Sequence, residues 1–285
     1  MIVWRDGEFV DGGSAIGVED RGWLIGDAAF ETVLVDNARA AFLDRHLARL
    51  DRGARTLGMN ACIDTGKIAA AIAETARRSG VDGRGACRLT LSRVGGPRGL
   101  APSAAARARL VISIAPAAPP REPMRLIISG RRRWTGASTN AFKCAGAYAE
   151  NFLARAEAAA AGANEAVMLN EKGRVACLSA ANIFIVREGE IVTPSEEEGA
   201  LAGVVRGVLI EEAGRMGIRV KEALIAPEKL SGAAMIATNS IAGAVRSVLD
   251  GEATIEDAET ADRLIAAYDR RLAEEFAAPA PEEKA

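Results

Sequence analysis

The chain is poor in the residues on which metal and redox chemistry is usually built. Its one histidine, His46, argues against a multi-histidine metal site. Its four cysteines, Cys62, Cys87, Cys144 and Cys177, lie far apart with no C-x-x-C spacing, so neither a zinc cluster nor a disulfide framework is expected. No apolar run approaches the length of a membrane span, and Met1–Asp6 does not have the shape of a signal peptide. The formal net charge of −2 leaves no basic footprint for nucleic acid and no polybasic patch for a membrane surface. From these absences a soluble, reduced, cytoplasmic chain is expected. Its 285 residues suffice for two modest domains or one large one.

What is present reads as mixed α/β with strand-rich meanders. Asp6-Gly7 supplies a hairpin turn between two short strands, and residues 19–32 form a glycine-punctuated loop running into the apolar strand Val33-Leu34-Val35. Asp44 is placed to cap a helix with Leu47, Leu50 and Ala54 on one face and Gly58 as its stop. A second helix opens at Asp64 or Thr65 and closes at Ser79-Gly80. Residues 86–92 alternate as a half-buried strand, and 109–114 form a more buried one. The proline-bearing stretch 116–123 cannot continue a ladder or a helix, and marks a linker between an N-terminal domain, 1–115, and a C-terminal domain, 124–276. In the second domain, strand 124–129 meets an Arg131–Arg133 turn, two hairpins turn around 171–173 and Glu188-Gly189, a helix spans 204–216, and an amphipathic helix starts near Asp257. The small, charged tail 277–285 is expected to be disordered.

Lys143 lies between the apolar pair Ala141-Phe142 and an alanine-rich helical stretch. In apolar surroundings a lysine loses its proton readily, and the neutral amine attacks carbonyls; at a solvated helix start it does neither. Three further features suit a phosphate. Arg49 follows His46 by three residues on one helix face, Gly203-Val204-Val205 opens a helix whose free N–H groups favour an anion, and Thr238-Asn239-Ser240 gathers small donors at a strand end.

The order of these blocks resembles the class IV aminotransferase family over roughly residues 2–250. The similarity rests on Asp20-Arg21-Gly22, Gly26-Asp27, Phe30-Glu31-Thr32, His46 with Arg49-Leu50, and Lys143 with Tyr148. It continues through Asn164–Asn170, Gly173-Arg174-Val175, Asn182-Ile183-Phe184, Thr193-Pro194, Ala202–Arg206 and the Thr238 segment. The resemblance implies the two-domain fold type IV of pyridoxal-phosphate (PLP) enzymes, with the cofactor between the domains and a homodimer whose loops reach the partner's site. It also implies a Schiff base on Lys143, which then moves the α-proton of the substrate, and Tyr148 beside the cofactor ring. Arg49, the N–H groups of Val204 and Val205, and Thr238 with Asn239 would hold the phosphate dianion. Phe30 and Arg98 would face the substrate, the guanidinium taking its carboxylate.

One position departs from the family pattern. Cys177 stands where the family's glutamate faces the pyridine nitrogen, and a thiol cannot supply that negative charge. The first reading is therefore amino transfer between an amino acid and a 2-oxo acid. Aminodeoxychorismate lyase, making 4-aminobenzoate and pyruvate, is the alternative, since residues 91–99 and Thr238-Asn239-Ser240 resemble that branch. A PLP-binding relative with weak or no turnover is the third, on account of Cys177.

Overall fold

The structure, a computed structural model, describes residues 1–96, 99–119, 123–187, 190–251 and 257–277. The chain divides into two units, and the division does not follow chain order. The first gathers 1–118, 142–147 and 274–285; the second gathers 119–141 and 148–273. One boundary falls in the proline-bearing stretch, of which residues 120–122 lie outside the described residues, as does the tail from 278 onward.

The first unit contains β1 (Ile2–Arg5), β2 (Glu8–Asp11), α1 (Arg21–Ile25), β3 (Ala28–Asp36), β4 (Arg39–Ala40), α2 (Leu43–Thr56), α3 (Thr65–Arg78), β5 (Gly85–Val94) and β6 (Arg107–Pro116). Its six strands form an antiparallel sheet in the order β2-β1-β6-β5-β3-β4. Helices α2 and α3 bury Leu47, Leu50, Ala54, Ile68, Ile72 and Ala76 with Val33, Val35, Cys87, Leu89, Ile112 and Ile114 from the sheet. Spacings of three and four on the helices and of two on the strands bring those side chains to one layer. Two local expectations are corrected. Asp20 caps α1, its carboxylate accepting from the N–H groups of Gly22 and Trp23, so the glycine-rich loop holds a short helix. Helix α2 begins one residue before Asp44, after Phe42 in a left-handed conformation (φ 50°), and Asp44 lies in its first turn without acting as the cap.

Phe142 and Cys144 belong to this first core, which is why the lysine segment departs from the C-terminal domain that sequence assigns it to. Cys144 forms an isolated antiparallel bridge with Ala29, and the Phe30 N–H donates to the Lys143 carbonyl at 2.9 Å. Lys143 thus lies on an added scrap of strand and not at the start of a helix. Short 3-10 turns at Ser138–Ala141 and Ala145–Ala147 flank it.

The second unit contains β7 (Met124–Arg133), α4 (Ala149–Ala160), β8 (Glu165–Asn170), β9 (Val175–Leu178), β10 (Asn182–Arg187), β11 (Glu190–Pro194), α5 (Val204–Arg215), β12 (Val220–Ala223), β13 (Ala234–Asn239), β14 (Gly243–Leu249) and most of α6 (Ala258–Ala277). The eight strands run in the order β12-β11-β10-β13-β14-β7-β8-β9. The pairs β11·β12, β14·β7 and β7·β8 are parallel and the rest antiparallel. Its main core gathers Leu126, Val167, Leu178, Ile183, Ile185 and Met235. Arg131–Arg133, read as a turn, instead prolongs β7, past an irregularity in register between Ile128 and Arg132. The hairpin turn at 188–189 lies outside the described residues. Among the described residues no helix is long and apolar enough to cross a membrane.

Gly26 and Gly146 show how tightly the lysine segment is seated in the first unit. Gly26 has φ +70°, and a Cβ there would run into Gly146 Cα and N, far inside van der Waals contact. Gly26→Ala therefore combines left-handed strain with a backbone clash that no side chain can relieve. It is expected to cost about 2 kcal/mol or more, measured as a fall in the urea midpoint against a Gly58→Ala control, where φ is also positive but space is open.

Candidate active site

In the first unit, β3 and α2 converge on a buried ionic cluster. Glu31 is fully buried, and Arg49 donates to both of its carboxylate oxygens at 2.7 Å. His46, one helical turn before Arg49, meets the same carboxylate through Nδ1 at 2.7 Å. Burial alone would raise the Glu31 carboxyl, but the hydrogen bonds from Arg49 and His46 outweigh it and bring the pKa to about 2. Burial lowers the pKa of His46, so its neutral ring donates from Nδ1 to the carboxylate. A helix places residues 46 and 49 on the same face, and β3 points Glu31 at them.

Lys143 enters beside this cluster. The backbone bond to Phe30 sets the lysine over β3, with Nζ 5.1 Å from the centre of the Phe30 ring. Lys143 is half-buried and densely surrounded. Burial first, then the positive charges of Arg49 and Arg88, lower its pKa to about 8, partly opposed by Glu31. Phe30, buried, carries a second cation on its ring: the Arg88 guanidinium carbon is 3.3 Å from the ring centre. Arg88 also donates to Thr90 at 3.1 Å. In the sequence Arg88 is one polar residue of the alternating strand 86–92, with nothing local to single it out. The one signal was its register opposite Thr32, two residues from Phe30, but that pairing is a tertiary fact. Arg98 lies outside the described residues; its neighbours Gly99 and Leu100 are held through their carbonyls by Arg21, at 2.6 and 2.9 Å.

In the second unit, β10 and β13 pair Asn182 with Thr238. Thr238 is buried, and among the described residues its hydroxyl has no hydrogen-bond partner. Helix α5 starts at Val204 behind Gly203, which offers no side-chain cap, and a Cβ at Gly203 would collide with the Asn182 side-chain oxygen. Asn182 in turn donates to the Leu201 carbonyl at 2.8 Å, fixing the approach to the helix. The bare N–H groups at the start of a twelve-residue helix and an orphaned hydroxyl on the adjoining strands form a cradle suited to a phosphate. Asn239 serves the backbone instead. Its side-chain oxygen accepts from the N–H groups of Ile241 and Ala242 and shapes the β13–β14 turn. Arg206 is buried against Pro194 and Glu222, so it is structural and not surface charge.

Tyr148 is half-buried at the position preceding α4. Cys177 lies on β9 opposite Met168, packed with Ala154, Ala158 and Ala166. Burial pushes its thiol pKa up, so it carries no charge. The nearby carboxylate of Glu165 is already engaged by Arg155 at 2.7 Å, the Ala166 N–H at 3.0 Å and the Ser179 hydroxyl. It is therefore not free to replace the family's glutamate. Arg133, which also acts electrostatically on Cys177, is bound to neutral partners, the Gly199 carbonyl and Asn151.

Comparison with known proteins bears on the whole chain. A family model described as amino-transferase class IV matches residues 28–248. A Methanocaldococcus jannaschii protein assigned as a branched-chain-amino-acid aminotransferase is 32% identical over 228 residues, 78% of each chain. The branched-chain aminotransferase of Thermoproteus uzoniensis, solved with norvaline, superposes with a TM-score of 0.87 at 27% identity, covering 96% of this chain and 95% of that one. A Legionella pneumophila structure assigned as 4-amino-4-deoxychorismate lyase gives 0.83 at 26% identity, covering 91% and 96%. Matched by the family model over most of its length and 32% identical to a relative across 78% of each chain, the chain belongs to the class IV aminotransferases, a family of PLP-dependent enzymes.

Proposed function

We propose that the protein transfers an amino group between an amino acid of the branched-chain type and a 2-oxo acid, with Lys143 as the residue to which PLP is attached. The observation that carries this reading is the placement of Lys143 on the strand scrap bonded to Phe30, its amine 5.1 Å from the ring that also carries the Arg88 guanidinium, where burial lowers its pKa to about 8. An amine poised near neutrality both bonds an aldehyde and exchanges protons, and a guanidinium next to it suits a carboxylate substrate. The second unit offers the phosphate its donors: the orphaned Thr238 hydroxyl and the N–H groups of Val204 and Val205. When bound, PLP would supply the electron sink that stabilises negative charge at the substrate α-carbon.

The remaining work falls to the chain's own side chains. Lys143 Nζ takes the proton from the α-carbon. Arg88, stacked on Phe30 and so held in one orientation, takes a substrate carboxylate. Phe30 covers one wall with apolar surface that excludes water. Arg49 stays locked on Glu31 and contributes its charge at short range. Tyr148 would stand beside the cofactor ring. The homodimer that accompanies this reading is supported by a cluster of exposed apolar side chains on and before α1: Trp23 is 74% exposed, with Val18, Leu24 and Ile25 beside it in sequence.

Two other readings each have their observation. The Thr238-Asn239-Ser240 segment and the likeness to the Legionella structure favour the lyase. The neutral, apolar setting of Cys177 favours a PLP-binding relative with little turnover.

Supplying purified protein with PLP and pairs of branched-chain amino acids and 2-oxo acids is expected to give amino transfer, and hydride reduction is expected to fix the cofactor on Lys143 alone. Turnover of aminodeoxychorismate only would replace the first reading by the second, and label on another lysine would end all three. The lowered pKa of Lys143 sets a second expectation. Below it the amine is an ammonium and cannot accept a proton, so α-deuterium exchange of the amino acid should rise about tenfold per pH unit up to about 8 and level off above. A flat profile across pH 6–9 would assign proton removal elsewhere. Replacing the neutral thiol by a carboxylate, Cys177→Glu, is expected to change the bound cofactor's absorption spectrum and to speed amino transfer on the order of tenfold, about 1.4 kcal/mol of barrier; an unchanged spectrum would mean that residue 177 does not face the ring.

A further inference from the structure

We propose that Thr90 is a positioning residue for recognition of the substrate carboxylate: its hydroxyl holds the Arg88 guanidinium over the Phe30 ring, in the row of the sheet that carries Lys143. The inference deepens the reading in which Arg88 takes the carboxylate, and rests on it. Every group concerned belongs to the first unit.

Register places these side chains. Phe30 lies opposite Thr90 on β5, while the Ala29–Cys144 bridge and the backbone bond from Phe30 set Lys143 on the other side of Phe30. Lys143, Phe30 and Thr90 thus form one cross-strand row. Thr32, Arg88 and Ser113 form the next row on the same face, whereas Glu31, paired with Leu89, lies on the opposite face. Arg88 therefore has a hydroxyl side chain directly across from it on either side, on Thr32 and on Ser113. Its guanidinium nevertheless leans into the neighbouring row. Nε donates to Thr90 at 3.1 Å, and the guanidinium carbon stands 3.3 Å from the ring centre of Phe30, its diagonal neighbour. The two contacts are complementary. Stacking fixes the plane of the guanidinium but lets it turn within that plane, and a hydrogen bond at Nε stops the turn. The acceptor is itself stiff, because a β-branched side chain is restricted at χ1. The fork is aimed before a ligand arrives, in the row where the Lys143 amine lies 5.1 Å from the same ring centre. The carboxylate of an amino acid is bonded to the α-carbon whose proton the amine takes, so the two cations have to meet neighbouring atoms. An arginine without this anchor would lose rotamer freedom at each binding event, and that loss weakens affinity.

Calorimetric titration of the PLP-loaded full chain with 4-methylpentanoate, the leucine skeleton without its amine, reads carboxylate binding apart from turnover. Thr90→Val keeps the shape of the side chain and removes the acceptor; it is expected to raise Kd about tenfold, the effect of one hydrogen bond to a charged group. Thr90→Ser restores the acceptor and is expected within about threefold of wild type, and Ser113→Ala, in the row the guanidinium leaves, within about twofold. Amino transfer from leucine should follow the same order in KM with kcat within about twofold, because the anchor serves bound substrate and transition state alike. A positioning role also carries a coupling that a packing role lacks. In an Arg88→Met background, Thr90→Val should change Kd, or KM where binding is too weak to titrate, by less than about twofold. Equal loss in both backgrounds, a Kd unmoved by Thr90→Val, or no recovery in Thr90→Ser would each overturn the proposal. The functional reading fails differently. If wild type binds no 4-methylpentanoate, or Arg88→Met leaves its Kd in place, Arg88 is not the carboxylate residue and both inferences go. If Arg88→Met weakens binding while Thr90→Val does not, only the role of Thr90 is lost.

Discussion

The backbone hydrogen bond from the Phe30 N–H to the Lys143 carbonyl is the contact on which the chemistry of the first unit depends. It converts a lysine from a loop into a member of a sheet. Once Ala29 and Cys144 pair, the side chains of the lysine segment alternate like those of any strand. Phe142 and Cys144 turn into the apolar core with Leu50 and Ala54, and Lys143 is left facing Phe30. The Gly26–Gly146 approach keeps the following turn close enough for this to persist. A flexible side chain carrying rotamer entropy is thereby anchored at its base, so less ordering is left to the moment of reaction.

The same geometry explains why the site is made of charges that are individually unfavourable. A buried carboxylate, a neutral histidine and two guanidinium groups would each be costly alone, and removing one partner of such a cluster typically costs about 3–5 kcal/mol. Together they satisfy one another, leaving a site whose positive charge exceeds its negative charge when Lys143 is deprotonated. That surplus suits anions. The carboxylate of the proposed substrate is such an anion. The depressed pKa of Lys143 works against stability, because between its folded value near 8 and its unfolded value near 10.5 the unfolded chain binds more protons, so stability rises with pH across that window. Function here is built on a residue the fold would rather hold neutral.

Much of this is legible in the order of residues. Helices α2 and α3 announce themselves by apolar spacing, and α3 by its Asp64 cap, whose carboxylate meets the Lys67 N–H. Lys143, Arg49, Thr238 and the Gly203–Val205 helix start can be named from the order of their blocks. What escapes depends on pairing between distant segments. Arg88 is ordinary within its own strand and becomes notable only when β3 brings Phe30 under it. The loyalty of Phe142–Ala147 to the first unit cannot be read from a proline-rich boundary, because a short segment is assigned by the core that accepts its side chains and not by its place in the chain. The Arg131–Arg133 run looks like a turn by its charge, yet β7 carries it because alternate arginines of an extended strand reach different partners: Arg131 pairs with Glu157, while Arg133 reaches Gly199 and Asn151.

Cys177 poses the sharper physical question. A carboxylate at that position would have to be buried among Ala154, Ala158, Ala166 and Met168, and such burial is tolerated only against a positive partner. Arg133 is within electrostatic reach and, among the described residues, is bound to the neutral Gly199 carbonyl and Asn151, so the second unit holds a cation of the sort that would offset a glutamate there. Glu165, the other nearby acid, is engaged by Arg155, Ser179 and a backbone N–H, and its charge opposes that of Arg133 at the thiol. With a thiol in place, Arg133 and Glu165 act on position 177 with opposite signs, and burial is the larger effect, holding the thiol protonated. The two units thus differ in how charge is buried: the first holds a carboxylate between Arg49 and His46, whereas position 177 of the second carries a neutral thiol acted on by a cation and an acid of opposite sign.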